Sequence, residues 1–114
     1  MLPNADLAIV EETKVTGYLL SPDHPDGHSK ADFFTRFSFR REAWEVLAEA
    51  LRRHARSHSV AKTASSLWGT RYSVEGALDC PDGRRPQLRT VWIVENLEAT
   101  VGKSIPRLIT AYPI

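Results

Sequence analysis

Cysteine is nearly absent from this chain. Cys80 stands alone, which excludes an internal disulfide and suits a reducing compartment. No apolar run approaches the roughly 20 residues that a membrane-spanning helix needs, and the start Met-Leu-Pro-Asn-Ala-Asp lacks a signal peptide's basic residues. No glycine-rich phosphate loop precedes a helix, which disfavours nucleoside triphosphate hydrolysis. Neither a Gly-x-Ser-x-Gly elbow nor a familiar Cys–His pairing is present, so hydrolysis through a covalent intermediate has no support. A strong excess of one charge is missing too: the net charge is +1 over 114 residues, whereas strong nonspecific nucleic-acid binders are far more basic. These absences leave one domain over residues 1–114, with no membrane association. It is expected to be cytoplasmic, or delivered as the C-terminal part of a secreted carrier.

The modest net charge hides an uneven layout. Arg40, Arg41, Arg52, Arg53, Arg56 and Lys62 make a basic middle, and Arg84, Arg85 and Arg89 a second cluster. Hydrophobic content of 42% and charged content of 25% are those of an ordinary globular protein.

The first half reads as helices. Thr13 or Thr16 is positioned to cap a short helix through Leu20, which Ser21-Pro22 ends, because proline disfavours helical geometry in the residue before it. A stiff loop from Pro22 to Gly27 follows. Ser29, with Asp32 three residues on, resembles a capping box at the start of a helix carrying Phe33, Phe34 and Phe37. Over residues 41–56, Trp44, Leu47, Ala48, Leu51 and Ala55 fall on one helical face, with Glu49–Arg53 a favourable i, i+4 pair on the other. The second half reads as strands. Tyr72, Val74 and Leu78 alternate with polar residues, and Cys80-Pro-Asp-Gly supplies a turn into a second strand, Leu88 to Val94. That strand is apolar on both parities, which predicts a central strand covered on both sides. A polar connection over 96–105 precedes a last strand, Arg107 to Tyr112, and residues 59–67 offer an edge strand. Helices first and strands after predict an α+β fold, with N-terminal helices packed on a four-stranded antiparallel sheet.

Chemistry-bearing residues gather at the two ends. His28 and Lys30 flank the expected helix start at Ser29, where free N–H groups favour a bound phosphate; the alternative is a solvated loop histidine and an exposed lysine. His24, between Pro22 and Pro25, offers a second ring. Arg89 and Thr90 point to opposite faces of their strand, so Thr110 and Tyr112 lie beside one or the other depending on register. Cross-strand packing alone would account for the same residues. Arg71 is a reserve cation. His54 and His58 have the spacing of a metal-ligand pair, but no further ligand lies nearby in sequence, and cations near the end of a helix account for them better. No metal or cofactor is expected. Trp68 and Trp92 read as core or edge aromatics.

Several blocks together resemble a known family. They are Leu2-Pro3-Asn4-Ala5, Lys14 with Tyr18-Leu19-Leu20, His24-Pro25 with Gly27, Lys30-Ala31 with Phe33-Phe34, Arg71-Tyr72, Leu88-Arg89-Thr90-Val91-Trp92-Ile93, and Pro106-Arg107-Leu108 with Thr110-Ala111-Tyr112. The family is one of small bacterial proteins of unknown function, found also as C-terminal domains of polymorphic secreted toxins and beside a small antitoxin. Its layout is similar to that of barnase, colicin and RelE-type toxins, most of which cut RNA without a metal. The resemblance implies glycine near Ser38 in relatives, with serine altering the turn into the long helix. It also implies an endoribonuclease toxin that cleaves RNA by 2′-hydroxyl attack, with a cognate antitoxin or immunity protein as partner. His28 is then the base, Lys30 and Arg89 the electrostatic stabilisers, and Thr110 and Tyr112 the donors to phosphate, Tyr112 doubling as acid. His24, Arg71 and Thr90 complete substrate binding. The alternative is a non-catalytic interaction module of the same kind of system.

Overall fold

The computed structural model describes residues 1–95 and 105–114; most of the connection expected over 96–105 therefore lies outside the described residues. Helix α1 runs as an α-helix over Glu12–Lys14 and as a π-helix over Val15–Leu19; α2 spans His28–Arg36 and α3 spans Trp44–Ser57. Four strands follow, β1 (Val60–Ser65), β2 (Gly69–Ala77), β3 (Gln87–Glu95) and β4 (Arg107–Pro113). They form one antiparallel sheet in the order β1-β2-β3-β4, with the helices ahead of it in the chain, so the α+β layout is as the sequence implies. No helix among the described residues is long and apolar enough to cross a membrane.

All three helices lie on one face of the sheet. Val74, Leu88, Trp92, Leu108 and Ala111 point into the core from the strands. They meet Leu47, Ala48, Leu51 and Ala55 of α3, Phe34 of α2, and Val15 and Leu19 of α1. Trp92 has no exposed surface, and burying a side chain of that size contributes about 1.5–3 kcal/mol. The other face carries Arg71, Ser73, Glu75, Arg89, Val91 and Ile93, all half-buried or exposed. This corrects the expectation that β3 is covered on both sides: its second apolar parity, Val91 and Ile93, sits on the open face. Trp68 is 80% exposed at the turn between β1 and β2, so it is neither core nor edge packing.

Local details also depart from the sequence reading. The capping box at Ser29 does not form: α2 begins at His28, after Gly27, with no side-chain cap. Neither Thr13 nor Thr16 caps α1, which starts after Glu11. The expected helix over 41–56 opens as a 3-10 turn, Arg41–Ala43, before α3 proper. Glu49 pairs with Arg56 at 2.7 Å and Arg52 at 3.5 Å instead of Arg53.

The two sides of β4 determine where a site can form. One edge pairs with β3. The other is met first by the N-terminal segment, where Ile9 N–H donates to the Pro106 carbonyl (2.9 Å) and Leu108 N–H to the Ile9 carbonyl (3.0 Å). The chain then turns into α1, and the rest of that edge borders a cleft. A bulge opposite Val91 and Trp92 adds Ile109 to β4 and sends its side chain into that cleft.

Candidate functional site

The loop before α2 is organised by His24. Its carbonyl accepts hydrogen bonds from Gly27 N–H (3.2 Å) and His28 N–H (3.0 Å), and its ring Nδ1 accepts from Asp26 N–H (3.0 Å) and Gly27 N–H (3.1 Å). These bonds serve backbone donors ahead of α2, in place of a cap at Ser29. Gly27 has no substitute: a Cβ there would stand 2.3 Å from the Tyr18 carbonyl oxygen. The close approach brings the His24 ring edge-on to Tyr18, centroids 5.0 Å apart.

Tyr18 is the hub of the first cluster. Its hydroxyl bonds the Thr110 hydroxyl at 3.1 Å, tying α1 to β4. The ammonium groups of Lys14 and Lys30 each lie 5.4 Å from its ring centroid, and Lys30 also donates to the Asp26 carbonyl at 3.4 Å. Thr13, Lys14, Gly17, Tyr18, His24, Ile109 and Thr110 line the cleft, about 520 Å³ in volume.

A second cluster lies on the open face of the sheet. Glu75, Arg89 and Tyr112 are register partners across β2, β3 and β4. Arg89 Nε donates to Glu75 Oε2 at 2.7 Å, and Nη2 reaches the same oxygen. Arg89 Nη1 donates to the Tyr112 hydroxyl at 3.2 Å. The Tyr112 hydroxyl, and after it the Glu75 carboxylate, hold the guanidinium even further above its ordinary range. One row along, Ser73, Val91 and Thr110 are partners, and the next row contains Arg71 beside Ile93. Thr110 and Tyr112 thus share a face of β4 and connect the two clusters.

The structure therefore brings His24, Lys30 and Thr110 around Tyr18, and Arg89 and Tyr112 together on the sheet, with Arg71 exposed on the same face. His28 stands apart. Its Nδ1 is 3.2 Å from the Pro25 carbonyl, and it lies two helical positions from Lys30, a spacing that puts side chains on different sides of a helix. Among the described residues no hydrogen bond or ring contact joins His28 to Arg89. Thr90 lies beneath the sheet, fully buried. It accepts a hydrogen bond from Trp92 Nε1 (2.9 Å) and bonds His54 Nδ1 (3.1 Å), so it cannot meet substrate on the open face. The sequence reading missed Lys14, Tyr18 and Glu75. The i, i+4 spacing of Lys14 and Tyr18 was a visible signal; Glu75 carried none, because only strand register places it beside Arg89.

Other candidates resolve into structural roles. His54 is 2% exposed, and its Nε2–H lies 3.1 Å from the carbonyls of both Gly76 and Leu88, so it is a core residue and not a solvated cation. His58 spends its own Nε2 on the Ala77 carbonyl at 2.9 Å. Among the described residues no group of three His, Cys, Asp or Glu side chains is arranged to hold a metal. Burial pushes the Cys80 thiol up to about 11, which leaves little thiolate near neutral pH. The arginine cluster is paired off: Arg84 with Asp82, Arg85 with Asp79, and Arg89 with Glu75. A larger groove, about 930 Å³, runs between α2 and the 40–42 turn. Its charges are mixed, and it contains none of the residues that the sequence offers for catalysis or substrate binding.

The fold is similar to that of a chain in a solved structure, the contact-dependent growth inhibition toxin–immunity protein complex from Klebsiella pneumoniae 342. The likeness has a TM-score of 0.71 and covers 96% of this chain and 95% of that one, at 16% sequence identity. No curated protein sequence matches the chain. A family model does, across residues 1–114, and the chain belongs to that family, the domain of unknown function DUF6883.

Proposed function

We propose that this protein is an endoribonuclease toxin that cleaves RNA by attack of a ribose 2′-hydroxyl on the adjacent phosphodiester, without a metal. One observation carries the reading: a proton acceptor, a cation and a proton donor, Glu75, Arg89 and Tyr112, form a single hydrogen-bonded row on an uncovered sheet face. Both Arg89 contacts fall on Glu75 Oε2, which leaves Oε1 to receive a proton. The Tyr112 oxygen accepts from Arg89, so its own hydrogen is available to donate.

In this reaction the 2′-oxygen bonds to phosphorus while its proton passes to Glu75. The bond from phosphorus to the 5′-oxygen breaks, and that oxygen takes a proton from Tyr112. The products are a 2′,3′-cyclic phosphate and a free 5′-hydroxyl. Arg89 faces the charge that grows on the phosphoryl oxygens, and Thr110 adds a hydroxyl donor. In this reading the base is Glu75 in place of His28, supported by Glu75 sharing a face with Arg89 while His28 Nδ1 bonds the Pro25 carbonyl of its own loop. The fold likeness to a chain of a toxin–immunity complex fits a toxin held in check by a cognate immunity protein or antitoxin.

The test is purified protein with labelled RNA in the presence of EDTA, scored for cyclic-phosphate ends, alongside expression in bacteria. Wild type should cleave and arrest growth, and Arg89→Ala should cleave about 10²–10³ more slowly and spare growth. Absence of cleavage at any protein concentration would overturn the reading. It would favour a non-catalytic interaction module, for which Leu67 and Trp68, 91% and 80% exposed at the tip of the β1–β2 hairpin, offer an apolar contact.

A further inference from the structure

We infer that the cleft around Tyr18 is a second phosphate subsite, which holds the phosphodiester next to the one that Arg89 faces; the inference rests on the RNA-cleaving reading above. Arg52, Arg56, Arg84, Arg85, Arg89 and Arg107 all have carboxylate partners. Lys14 and Lys30 do not: among the described residues neither forms an ion pair, yet both ammonium groups approach one ring. Two like charges drawn to one place without an acid call for an anion to offset them. His24 adds a donor. Its Nδ1 accepts two backbone N–H bonds, so the neutral ring carries its hydrogen on Nε2, and the ring lines the cleft. Thr110 supplies a hydroxyl from the other wall.

Spacing connects the two subsites. Thr110 borders the cleft and Tyr112 contacts Arg89, two residues along one strand, a separation of about 7 Å at ~3.4 Å per residue. That step suits successive phosphates of an extended single strand, which would run along β4 from the cleft onto the open sheet face. The ligand class is therefore a single-stranded RNA segment, gripped by its backbone.

The experiment measures binding of a labelled 2′-O-methyl oligonucleotide, which lacks the attacking hydroxyl, over a series of salt concentrations. Lys14→Ala and Lys30→Ala should each flatten the slope of log affinity against log salt by about 0.7, the contribution of one phosphate contact in a single strand. Lys14→Arg should retain the slope, and Arg53→Ala, exposed on α3, should leave it unchanged. In cleavage of ordinary RNA, the two lysine variants should raise KM and spare kcat. If the wild type binds and cleaves while both lysine variants keep its slope, the subsite is refuted and the RNA-cleaving reading stands. An equal loss in Arg53→Ala would likewise refute the subsite, as general charge attraction. A wild type that neither binds nor cleaves RNA would overturn both.

Discussion

His24 and His28 lie in one loop, four positions apart, and leave the same ring nitrogen, Nε2, in opposite protonation states. His24 Nδ1 accepts from two backbone N–H groups, whereas His28 Nδ1 donates to the Pro25 carbonyl. In its neutral form His24 therefore offers an N–H and His28 a lone pair. Only His24 lines the cleft.

The His24 arrangement makes a separable prediction about loop stability and binding. His24→Ala removes two acceptor contacts and should cost about 1–3 kcal/mol, at ~0.5–1.5 kcal/mol net per hydrogen bond. His24→Asn places a side-chain oxygen where it can bond the backbone two residues on, and should recover most of that loss. Urea denaturation measures both. RNA affinity should fall in the two variants alike, since neither has the Nε2–H; restored affinity in His24→Asn would mean that the ring serves only the loop.

Assignment of the base predicts an order of damage. Glu75→Gln should slow single-turnover cleavage by about 10²–10⁴, the range for a general base. Arg89→Ala should cost about 10²–10³, as for loss of one electrostatic stabiliser. His28→Ala, on a ring turned toward Pro25, should stay within a few-fold of wild type. A His28→Ala enzyme as slow as Glu75→Gln would return the base to the loop.

These assignments also mark what the sequence could reveal. Local periodicity was enough for α3, whose Leu47, Ala48, Leu51 and Ala55 all reach the core, and for the β2–β3 hairpin with its turn at Gly83. It failed where the deciding partner is distant in sequence. His54 and His58 looked like helix-end cations because the Gly76 and Leu88 carbonyls that receive the His54 proton come from the sheet. The apolar parity of Val91 and Ile93 looked buried because a strand does not reveal whether a second layer exists. Ser29 looked like a cap because His24, five residues earlier, was not recognisable as the acceptor that replaces it. Of the expected site, the individual residues were legible, but their division into a cleft and a sheet row was set by the bulge at Ile109 and by register.

Ser38 tests the expected glycine. Its φ of 75° lies in the left-handed region, where a side chain costs about 1–2 kcal/mol. Ser38→Gly should relieve that cost, less the exposed hydroxyl bond to Asp82 at 3.3 Å, for a net gain of roughly 0.5–1 kcal/mol. Cleavage should be unchanged, because the turn lies outside both clusters. A thermal melt that moves down in Ser38→Gly would contradict the strain.

The buried relay at His54 makes stability fall with acid. Trp92 Nε1–H donates to Thr90 Oγ1, the Thr90 hydroxyl donates to His54 Nδ1, and His54 Nε2–H is shared between two strand carbonyls. This chain needs a neutral ring. Burial is the main force lowering the His54 pKa below 6.5; the Gly76 and Leu88 carbonyls oppose it, and the charge of nearby His58 adds to it. The unfolded chain, titrating near 6.5, then binds more protons than the folded one once the pH drops below that value. The contribution is therefore complete above about pH 6.5, shrinks as pH falls toward the folded pKa, and is gone below it. Its steepest slope is about 1.4 kcal/mol per pH unit, the limit for a single proton. His54→Gln keeps a donor for the carbonyls but cannot titrate, so the difference in stability between wild type and this variant should narrow or reverse from pH 7.5 to pH 5. Parallel curves for the two proteins would show that the ring titrates alike folded and unfolded, and a difference that widens toward pH 5 would show a ring charged in the core; either outcome contradicts the relay.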